Sequence, residues 1–261
     1  MKRVVLITGA SSGIGYRLAL EVAKNKGALA LVARRRELLD DLSYEVEKLG
    51  GEALTLVCDV GDQEQVRQAV SETVRYFGRI DLAILSAGVN SPSNAVSFKA
   101  GRFEHLLRVN VLGVAYCLEA LIPLMRGQKN GIIAAISSLA GDRGMPGYAG
   151  YCATKAALST LIEGMRVELG QYGVRLVTIE PGYVLTPMTE NAGKMPFLMQ
   201  ADEAARLILR RIERGDRVIR FPLVPSLFMK MVRMMPVSLF DVVAARRRPI
   251  KSGSGSDLAD L

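Results

Sequence analysis

Short apolar runs alternate with amphipathic segments along the first 221 residues. The early apolar runs are almost uninterrupted, which is typical of parallel strands buried on both faces. Strands are predicted at 3–8, 28–33, 53–58, 82–86, 131–137, 174–179 and 217–221, and helices at 13–26, 36–49, 63–77, 101–125, 151–172 and 202–214. This alternation predicts an α/β fold with a doubly wound parallel sheet.

The same pattern predicts how the chain is divided. No repeat and no linker interrupts residues 1–221, so this stretch is predicted to form one domain. Residues 222–250 form an extension that is rich in Leu, Phe, Met and Val, contains prolines, and carries Arg246, Arg247 and Arg248 near its end. Residues 251–261 contain Ser-Gly-Ser-Gly-Ser, which predicts a flexible tail.

Composition restricts the classes of protein to consider. Hydrophobic residues make up 49% and charged residues 23% of the chain, which is too apolar for disorder. The longest stretch without a charged residue, 82–98, has 17 residues and includes Ser, Asn and Gly, so no transmembrane helix is expected. Three widely spaced cysteines and one histidine argue against a disulfide framework and a metal site. A cytoplasmic, metal-free protein is the expectation.

The net charge of +8 is concentrated toward the carboxyl end. Residues 201–261 contain 12 Lys and Arg against seven Asp and Glu. A basic segment can face a membrane surface, nucleic acid or only solvent. Because no aromatic residues are interleaved with these arginines, nucleic acid is the least supported of the three, and no nucleic-acid partner is predicted.

A glycine-rich turn joins the first predicted strand to the first predicted helix, with its glycines spaced G-x-x-x-G-x-G. Glycine allows a tight turn and a close approach of the backbone to phosphate, and the amino end of a helix attracts anions. No Lys-Ser or Lys-Thr follows, which excludes a P-loop. A plain strand-to-helix turn is the alternative to a dinucleotide site. The predicted cofactor-binding residues are Gly9, Ser11, Ser12, Gly13, Ile14 and Gly15.

The residues after the second predicted strand indicate which dinucleotide binds. Proteins that bind NAD usually have an acidic residue there for the ribose 2′-hydroxyl, whereas an arginine accommodates the 2′-phosphate of NADP. Here Ala33 is followed by Arg34, Arg35 and Arg36. A charge-assisted contact contributes about 1.5–3 kcal/mol, so one arginine favours NADP by about tenfold or more. Arg34 is predicted to bind the 2′-phosphate of NADP(H), and Arg36 to open a solvated helix.

A second motif can carry acid–base chemistry. Tyr151 and Lys155 lie four residues apart at the start of a predicted helix and share one face. Ser138 lies at the carboxyl end of the fifth predicted strand, where ligands bind in such sheets. We expect Lys155 and a positive nicotinamide ring to lower the pKa of the Tyr151 phenol from about 10 by about 2–3 units. The Ser138 hydroxyl, favoured over Ser137 by its spacing to Tyr151, then holds the substrate oxygen.

In order and spacing, these and several further segments resemble the short-chain dehydrogenase/reductase family. The resemblance extends from residue 1 to about 221 and implies a Rossmann-type sheet of about seven strands in three α/β/α layers. It also implies hydride transfer between NAD(P)(H) and a carbonyl or alcohol, and a homodimer or homotetramer. The matching segments are Thr8–Gly15, Arg34, Asp59, Asn110, Ser138, Tyr151–Lys155 and Pro181-Gly182.

The resemblance implies a catalytic role for four residues. Tyr151 is then the general acid/base, Lys155 orients the ribose and tunes Tyr151, and Ser138 polarises the carbonyl. Asn110 is implied to anchor a water in the proton relay, with a simple helix or kink position as the alternative.

Further cofactor contacts are implied in the same way. Asp59 and Val60 would flank the adenine, and Val184 and Thr186 would hold the carboxamide. Ala87, Gly88, Pro181 and Gly182 complete the implied cofactor-binding set. The chain departs from the family at Ser86-Ala87-Gly88, where Asn-Ala-Gly is usual, at Glu180, and after residue 221.

These features predict an NADP(H)-dependent oxidoreductase that acts on a ketone or secondary alcohol. Between Thr186 and Ala201 the sequence carries an apolar, methionine-rich stretch, which predicts an apolar or lipid-like small-molecule substrate. One alternative is reduction of a 3-oxoacyl thioester on an acidic carrier protein. Another is a non-catalytic sensor or scaffold that binds NADP(H), although such a protein has no need of Tyr151.

The carboxyl-terminal extension has two interpretations. Residues 226–235 predict a short apolar helix with Lys230 and Arg233 on one side. This helix can pack against the body of the protein or a partner subunit. It can also lie on a membrane surface or cover a long apolar substrate, so peripheral membrane contact through 226–248 is an open expectation.

Overall fold

The computed structural model describes residues 2–93, 95–190 and 195–245. In the described residues, a seven-stranded parallel sheet lies at the centre of the protein. Its strands are β1 (Val4–Thr8), β2 (Ala28–Ala33), β3 (Glu52–Val57), β4 (Leu82–Leu85), β5 (Gly131–Ile136), β6 (Val174–Pro181) and β9 (Val218–Phe221). A separate pair of two-residue strands is formed by β7 (Val184–Leu185) and β8 (Met199–Gln200).

Helices cover both faces of the sheet. They are α1 (Gly13–Lys24), α2 (Arg36–Lys48), α3 (Gln63–Phe77), α4 (Ala100–Leu107), α5 (Gly113–Gln128), α6 (Ala149–Leu169), α7 (Ala201–Arg214), α8 (Leu223–Met234) and α9 (Val237–Ala245). The buried residues of α1, α2 and α7 pack on one face, and those of α3, α5 and α6 on the other. The predicted three-layer doubly wound fold is therefore confirmed.

The two cores explain why the strands are apolar without interruption. In β1, Val5 and Ile7 belong to one core and Leu6 to the other, because successive side chains point to opposite faces. All three are at most 1% exposed. A sheet covered on both faces therefore needs an apolar residue at every position, which is the pattern seen in the sequence.

The strand order sets the position of the functional cleft. The sheet runs β3-β2-β1-β4-β5-β6-β9, so β1 lies between β2 and β4 and the chain changes direction across the sheet at this point. In open parallel sheets, ligands bind at this switch point, beside the carboxyl ends of the strands. The loops after β1, β4, β5 and β6 meet there.

One predicted helix is interrupted. The sequence predicts a single helix over 101–125, but the structure has α4 and α5 joined by a π-helical turn, Arg108–Leu112. A π turn inserts one extra residue into the helical ladder and frequently marks a functional position. Periodicity alone does not reveal it, because the helical spacing of apolar residues resumes on both sides.

Helices α8 and α9 follow β9 directly. Helix α8 packs beside the short 3₁₀ turn Leu139–Asp142, which follows Ser138. The division of the chain at residue 221 remains a prediction. Arg246, Arg247, Arg248 and the predicted tail at 251–261 lie outside the described residues.

By length and composition, one helical stretch of the described chain, Ala100–Gln128, could cross a membrane. Its residues Leu118, Leu121 and Met125 are at most 2% exposed and belong to the core shared by α3 and α6. Core helices meet the same criterion of length and hydropathy. We therefore interpret this stretch as a core element of the α/β fold.

Candidate active site

The glycine-rich turn between β1 and α1 borders a cleft at the carboxyl ends of the strands. Gly9 and Gly13 have φ values of +66° and +60°, in the left-handed region that favours glycine. A Cβ at Gly9 would lie 2.7 Å from the Cα of Ala87, and a Cβ at Gly15 would lie 2.4 Å from the carbonyl oxygen of Gly9. Close backbone packing therefore excludes side chains at both positions. The turn fits an anion that approaches the backbone at the amino end of α1.

Two arginines after β2 lie at the same cleft. Arg34 and Arg35 both line it, whereas Arg36 begins α2 and does not. The Nη2 atom of Arg35 donates to the hydroxyls of Ser11 and Ser12, at 2.9 and 3.2 Å. A contact with phosphate was predicted for Arg34 and stays a prediction, and no role was predicted for Arg35. The run of three arginines was the available signal, but it does not indicate which side chains turn toward the glycine-rich turn.

One cleft, with a volume of about 260 Å³, collects most of the predicted site residues. Three predicted catalytic residues line it: Ser138, Tyr151 and Lys155. The predicted cofactor-binding residues that line it are Gly9, Ser11, Ser12, Gly13, Ile14, Arg34, Asp59, Val60, Ala87, Gly88, Tyr151, Lys155, Pro181, Gly182, Val184 and Thr186. Gly15 and Asn110 do not line it. Lining residues that the sequence analysis did not assign include Arg35, Cys58, Val89, Ser137, Met188 and Thr189.

The acid–base group is built from two elements. Tyr151 and Lys155 lie one turn apart in α6, and Ser138 follows β5. The Ser138 hydroxyl accepts a hydrogen bond from Ala140 N at 3.1 Å and donates to the carbonyl of Pro181 at 3.4 Å. Lys155 is 4% exposed, and its ammonium donates to the carbonyl of Ile136 at 2.9 Å. The sheet and α6 therefore hold a phenol, an ammonium and a hydroxyl at one end of the cleft.

The groups of the chain itself raise the pKa of the Tyr151 phenol. Burial raises the pKa of Tyr151 to about 12, and a hydrogen bond with Ser138 lowers it only in part. Burial also lowers the pKa of Lys155 to about 8. Removal from water is the main cause of the upward shift, and the Lys155 ammonium bonds to the Ile136 carbonyl and lies 5.6 Å from the centroid of the Tyr151 ring. The expected depression of the Tyr151 pKa requires a bound nicotinamide ring as well as Lys155, and it stays a prediction.

Asn110 lies in the π turn and is fully buried. Its Oδ1 accepts from Val89 N at 2.8 Å, and its Nδ2 donates to the Val89 carbonyl at 2.9 Å and to Thr154 Oγ1 at 3.1 Å. The Thr154 hydroxyl donates in turn to the carbonyl of Tyr151 at 2.8 Å. Asn110 thus connects the loop after β4 to the helix that carries Tyr151. Its role in a proton relay remains a prediction.

The turn after β6 closes the cleft on its other side. Gly182 N donates to the carbonyl of Phe221 at 2.7 Å, which joins this turn to the end of β9. Thr189 Oγ1 donates to the carbonyl of Val184 at 2.6 Å and accepts from Thr186 N at 3.0 Å. These bonds hold Val184 and Thr186 against the glycine-rich turn, where a Cβ at Gly13 would lie 3.3 Å from Thr186 Cγ2.

Glu180, one of the departures noted in the sequence, belongs to a largely buried ionic network. Arg220 of β9 donates to the carboxylates of Glu180 and Asp142, whose side chains are 10% and 6% exposed. Glu180 also accepts from the Ser159 hydroxyl at 3.0 Å. Burial raises the pKa of Glu180, while Arg220 opposes this shift. The network joins β6, β9 and the turn that follows Ser138.

The remaining candidate groups lie away from this chemistry. Cys117 and Cys152 are buried and do not line the cleft, and Cys58 lines it at 2% exposure with its pKa raised by burial to about 12. His105 is not among the residues that line it. Within the described part of the chain, no group of three His, Cys, Asp or Glu could hold a metal ion.

The residues at the cleft fit a nicotinamide dinucleotide. The glycines leave backbone space where a Cβ would collide, and Arg34 and Arg35 supply positive charge at the end of β2. The Lys155 ammonium and the Tyr151 phenol lie at the other end, beside Ser138. The residues predicted to bind phosphate and those predicted to act as acid and base thus line one continuous cleft.

Comparison with known proteins gives the same result. A family model described as short chain dehydrogenase matches residues 3–196. An uncharacterized oxidoreductase of Myxococcus xanthus is 36% identical over 247 residues, 94% of this chain and 98% of that protein. Levodione reductase of Leifsonia aquatica is 38% identical over 74% of this chain and 73% of that protein. A 3-oxoacyl-[acyl-carrier-protein] reductase of Thermotoga maritima is 32% identical over 83% of this chain and 87% of that protein.

Solved structures extend the likeness to the whole fold. The crystal structure of levodione reductase matches with a TM-score of 0.80 and 30% identity, over 86% of this chain and 98% of that one. An alcohol dehydrogenase from Thermococcus sibiricus, complexed with 5-hydroxy-NADP, matches with a TM-score of 0.77 and 27% identity, over 85% of this chain and 95% of that one. With its family match, its parallel sheet and its Ser-Tyr-Lys cleft, this chain belongs to the short-chain dehydrogenase family of oxidoreductases that act on alcohol and carbonyl groups.

Proposed function

We propose that this chain is an NADP(H)-dependent oxidoreductase that transfers a hydride between nicotinamide and a ketone or secondary alcohol. The observation that carries the proposal is the single cleft in which the glycine-rich turn and two arginines lie at one end, and Ser138, Tyr151 and Lys155 at the other. The other proposed site residues are the cofactor-binding positions named above and Asn110. A homodimer or homotetramer in the cytoplasm is proposed with it.

The preference for NADP(H) over NAD(H) rests on charge. The three residues directly after β2 are arginines, and Arg34 and Arg35 both border the cleft. An arginine binds a phosphate through charge-assisted hydrogen bonds, which are stronger than neutral ones. The bonds from Arg35 to Ser11 and Ser12 also orient its guanidinium toward the glycine-rich turn. The NADP analogue bound to the related alcohol dehydrogenase is consistent with this preference.

The chain's own groups would move the proton as follows. NADPH, held by the glycine-rich turn, Arg34, Arg35 and Lys155, would supply the hydride that the carbonyl carbon receives. Ser138 donates a hydrogen bond to the carbonyl oxygen, and the Tyr151 hydroxyl delivers its proton to that oxygen. With a pKa of about 12, Tyr151 is protonated at neutral pH and able to donate. The phenolate that remains is then stabilised by the positive charge of Lys155 until a proton returns from solvent, and the reverse sequence oxidises an alcohol.

An apolar substrate is supported by the residues beyond the turn after β6. Met188 lines the cleft and is 48% exposed, and Phe197 and Leu198 are also exposed. Exposed Met and Phe side chains near a cleft suit an apolar ligand, because they lose contact with water when it binds. A ketone on a ring or on an acyl chain therefore fits better than a small charged molecule.

Reduction of a 3-oxoacyl thioester on a carrier protein is the second candidate. It is favoured by the likeness to the Thermotoga maritima enzyme and by the excess of Lys and Arg in residues 201–261. A non-catalytic sensor that binds NADP(H) is less well supported, because binding alone requires no buried phenol beside an ammonium.

The direct test is consumption of NADPH, followed by its absorbance, with a panel of ketones. The panel should contain cyclic and aryl ketones, long-chain 3-oxoacyl esters and a 3-oxoacyl carrier protein. We expect turnover with at least one apolar ketone, and a fall of about 10²–10⁴-fold in kcat for Tyr151→Phe. Tyr172→Phe, which removes a phenolic hydroxyl outside the cleft, should leave kcat unchanged.

Three outcomes separate the alternatives. Turnover only with the carrier-bound substrate would favour the carrier-protein reductase. NADPH binding without turnover on any ketone would favour the sensor. Equal turnover by Tyr151→Phe and the wild-type protein would refute the proposed mechanism.

A further inference from the structure

Helices α8 and α9 present a large apolar surface to solvent. Its side chains, which we call the C-terminal apolar surface, are each between 48% and 77% exposed. They are Leu223, Val224, Leu227, Phe228, Met231, Met234, Val237, Leu239, Val242 and Val243. Single exposed apolar residues are ordinary on a protein surface, but ten on two consecutive helices indicate an interaction site.

The surface has a regular geometry in α8. Leu227, Phe228, Met231 and Met234 recur at the spacing that places side chains on one face of a helix. The opposite face is turned inward and contains Ser226 and Val232, at 5% and 8% exposure. Helix α8 is therefore amphipathic, but its larger apolar face points toward solvent, whereas the apolar face of a core helix points inward. Helix α9 has no buried residue among those described.

This surface is attached firmly to the rest of the protein. Arg143 donates to the carbonyls of Arg233 and Met235, at 3.2 and 3.1 Å, and its guanidinium lies 4.4 Å from the centroid of the Phe240 ring. Arg143 thus contacts the end of α8, the short connection between the two helices, and α9. These contacts fix the positions of α8 and α9, so their apolar side chains are exposed in a defined arrangement.

Positive charge borders the apolar side chains. Lys230 lies beside the apolar face of α8 and is exposed. Arg233 is also exposed but lies further from that face, 3.9 Å from Asp142 Oδ1. The acidic residue of the two helices is Asp241. In sequence, residues 223–251 contain six Lys and Arg and one Asp, and four of the six cations lie in 246–251, outside the described residues. The segment therefore combines apolar side chains with a net positive charge.

We propose that the C-terminal apolar surface docks on the surface of an anionic phospholipid bilayer. Helices that lie in the interface of a bilayer combine an apolar face with a polar face that carries Lys and Arg, and α8 combines its exposed apolar face with Lys230 and Arg233. Each Lys or Arg near an anionic surface adds about 1 kcal/mol of attraction. A second copy of the chain fits less well, because a symmetric contact would place like cationic borders close together.

The docked surface would lie next to the cleft. Helix α8 begins at Leu223, directly after Pro222, whose Cδ would lie 3.2 Å from a Cβ at Gly182 in the cleft lining. At its other end, Arg143 connects α8 and α9 to the turn after Ser138. If the proposed function holds, an apolar ketone dissolved in the bilayer would reach the cleft from this side. Docking itself does not depend on the proposed function.

The test is co-sedimentation of the full chain with vesicles of phosphatidylcholine alone or mixed with phosphatidylglycerol, without substrate. We expect binding to the mixed vesicles, weaker binding at high salt, and a loss of about tenfold or more in Phe228→Glu/Met231→Glu. Lys230→Gln should weaken binding to the mixed vesicles about fivefold. Tyr44→Glu, at an exposed position on α2, is the matched control and should bind as the wild-type protein does, because α2 packs beside β3, at the other edge of the sheet from β9.

A spectroscopic test avoids reliance on destabilised variants. The chain contains no Trp, so Phe228→Trp introduces a single reporter on the surface. Its emission should shift to shorter wavelength with mixed vesicles and remain unchanged with phosphatidylcholine alone. The proposal is overturned if the wild-type protein does not sediment with mixed vesicles, or if Phe228→Glu/Met231→Glu binds as well as Tyr44→Glu. Lipid-free dimerisation that Phe228→Glu/Met231→Glu abolishes would assign the surface to a second copy instead.

Discussion

The ammonium of Lys155 donates a hydrogen bond to the carbonyl oxygen of Ile136, the last residue of β5, at 2.9 Å. This bond joins the helix that carries Tyr151 to the sheet from inside the protein. It also means that a cationic group lies where water is excluded, since Lys155 is 4% exposed. Burial lowers the pKa of Lys155 to about 8 for this reason.

The first prediction concerns the stability of the cofactor-free protein. An unfolded lysine stays protonated up to about pH 10.4, but folded Lys155 loses its proton near pH 8, so the unfolded state binds more protons between these values. Stability should therefore rise with pH across this window, and charged Lys155 should destabilise the fold below it. We expect Lys155→Met to be more stable than the wild-type protein at about pH 7 by up to about 3 kcal/mol.

Urea unfolding at about pH 7 and about pH 9.5 checks this expectation. The advantage of Lys155→Met should shrink at the higher pH, because wild-type Lys155 is then neutral in the folded state. A difference that stays constant between the two pH values would contradict the buried-charge explanation. Lys26→Met, at an exposed position, serves as the control and should show no such dependence.

The second prediction concerns the choice between NADPH and NADH. Removing a charged partner of the 2′-phosphate should cost about 1.5–3 kcal/mol, so Arg34→Ala and Arg35→Ala should each weaken NADPH binding about 10–150-fold. NADH, which lacks that phosphate, should lose about twofold or less. Arg36→Ala is the matched control, because this arginine begins α2 and does not line the cleft.

Fluorescence titration of each variant with both dinucleotides provides the measurement. Equal losses of NADPH and NADH in Arg34→Ala and Arg35→Ala would remove the basis for NADP preference. A selective loss in Arg35→Ala alone would move the phosphate contact from Arg34 to its neighbour.

The third prediction concerns Asn110. Its amide bonds to both backbone groups of Val89 and to the Thr154 hydroxyl, and Asn110→Leu would leave these buried groups without their partner. Each unsatisfied buried group costs about 1–3 kcal/mol, so we expect a loss of about 2–4 kcal/mol in the free energy of unfolding. Urea denaturation measures it, with Asn25→Leu at an exposed position as the control. A loss no larger than that of the control would show that the network contributes little.

The fourth prediction concerns the network around Arg220. Arg220→Met would leave the buried carboxylate of Glu180 without a cation and Asp142 with only exposed Arg233, at 3.9 Å, and breaking such a buried pair costs about 3–5 kcal/mol. The loss should diminish as the pH falls toward 5, because burial raises the pKa of Glu180 and protonation then removes its unpaired charge. Adding Asp142→Asn and Glu180→Gln to Arg220→Met gives a triple variant, which should regain most of the lost stability at about pH 7.

Thermal and urea unfolding across this pH range would measure both effects. Exposed Arg217→Met, three residues earlier in the chain, should change stability by about 0.5 kcal/mol or less. If Arg220→Met behaves like Arg217→Met, or if the triple variant is no more stable than the single one, the network does not stabilise the fold.

Much of the fold followed from local pattern. The apolar run of β1 alternates between two cores, so its composition already indicated a sheet covered on both faces. The spacing of Tyr151 and Lys155 placed them on one helical face, and the position of Ser138 after β5 placed it near them. These features depend on residues close in sequence, whose geometry is set by the period of a helix or strand.

Other features could not be predicted in this way. The π turn at Asn110 interrupts a helix whose apolar periodicity is intact, and Arg35, not only Arg34, faces the glycine-rich turn. The sequence marked Glu180 as unusual but did not indicate Arg220 and Asp142 as its partners. These partners come from segments far apart in the chain, and only packing brings them together.

The sequence by itself determined the order of strands and helices, the glycine-rich turn and the spacing of the predicted acid–base residues. The tertiary structure decided the direction in which the pKa values of Tyr151 and Lys155 shift and the direction in which α8 and α9 face. Burial is the physical reason for both, because the water removed from Tyr151 and Lys155, and the water left around Phe228 and Met231, depend on every element packed nearby.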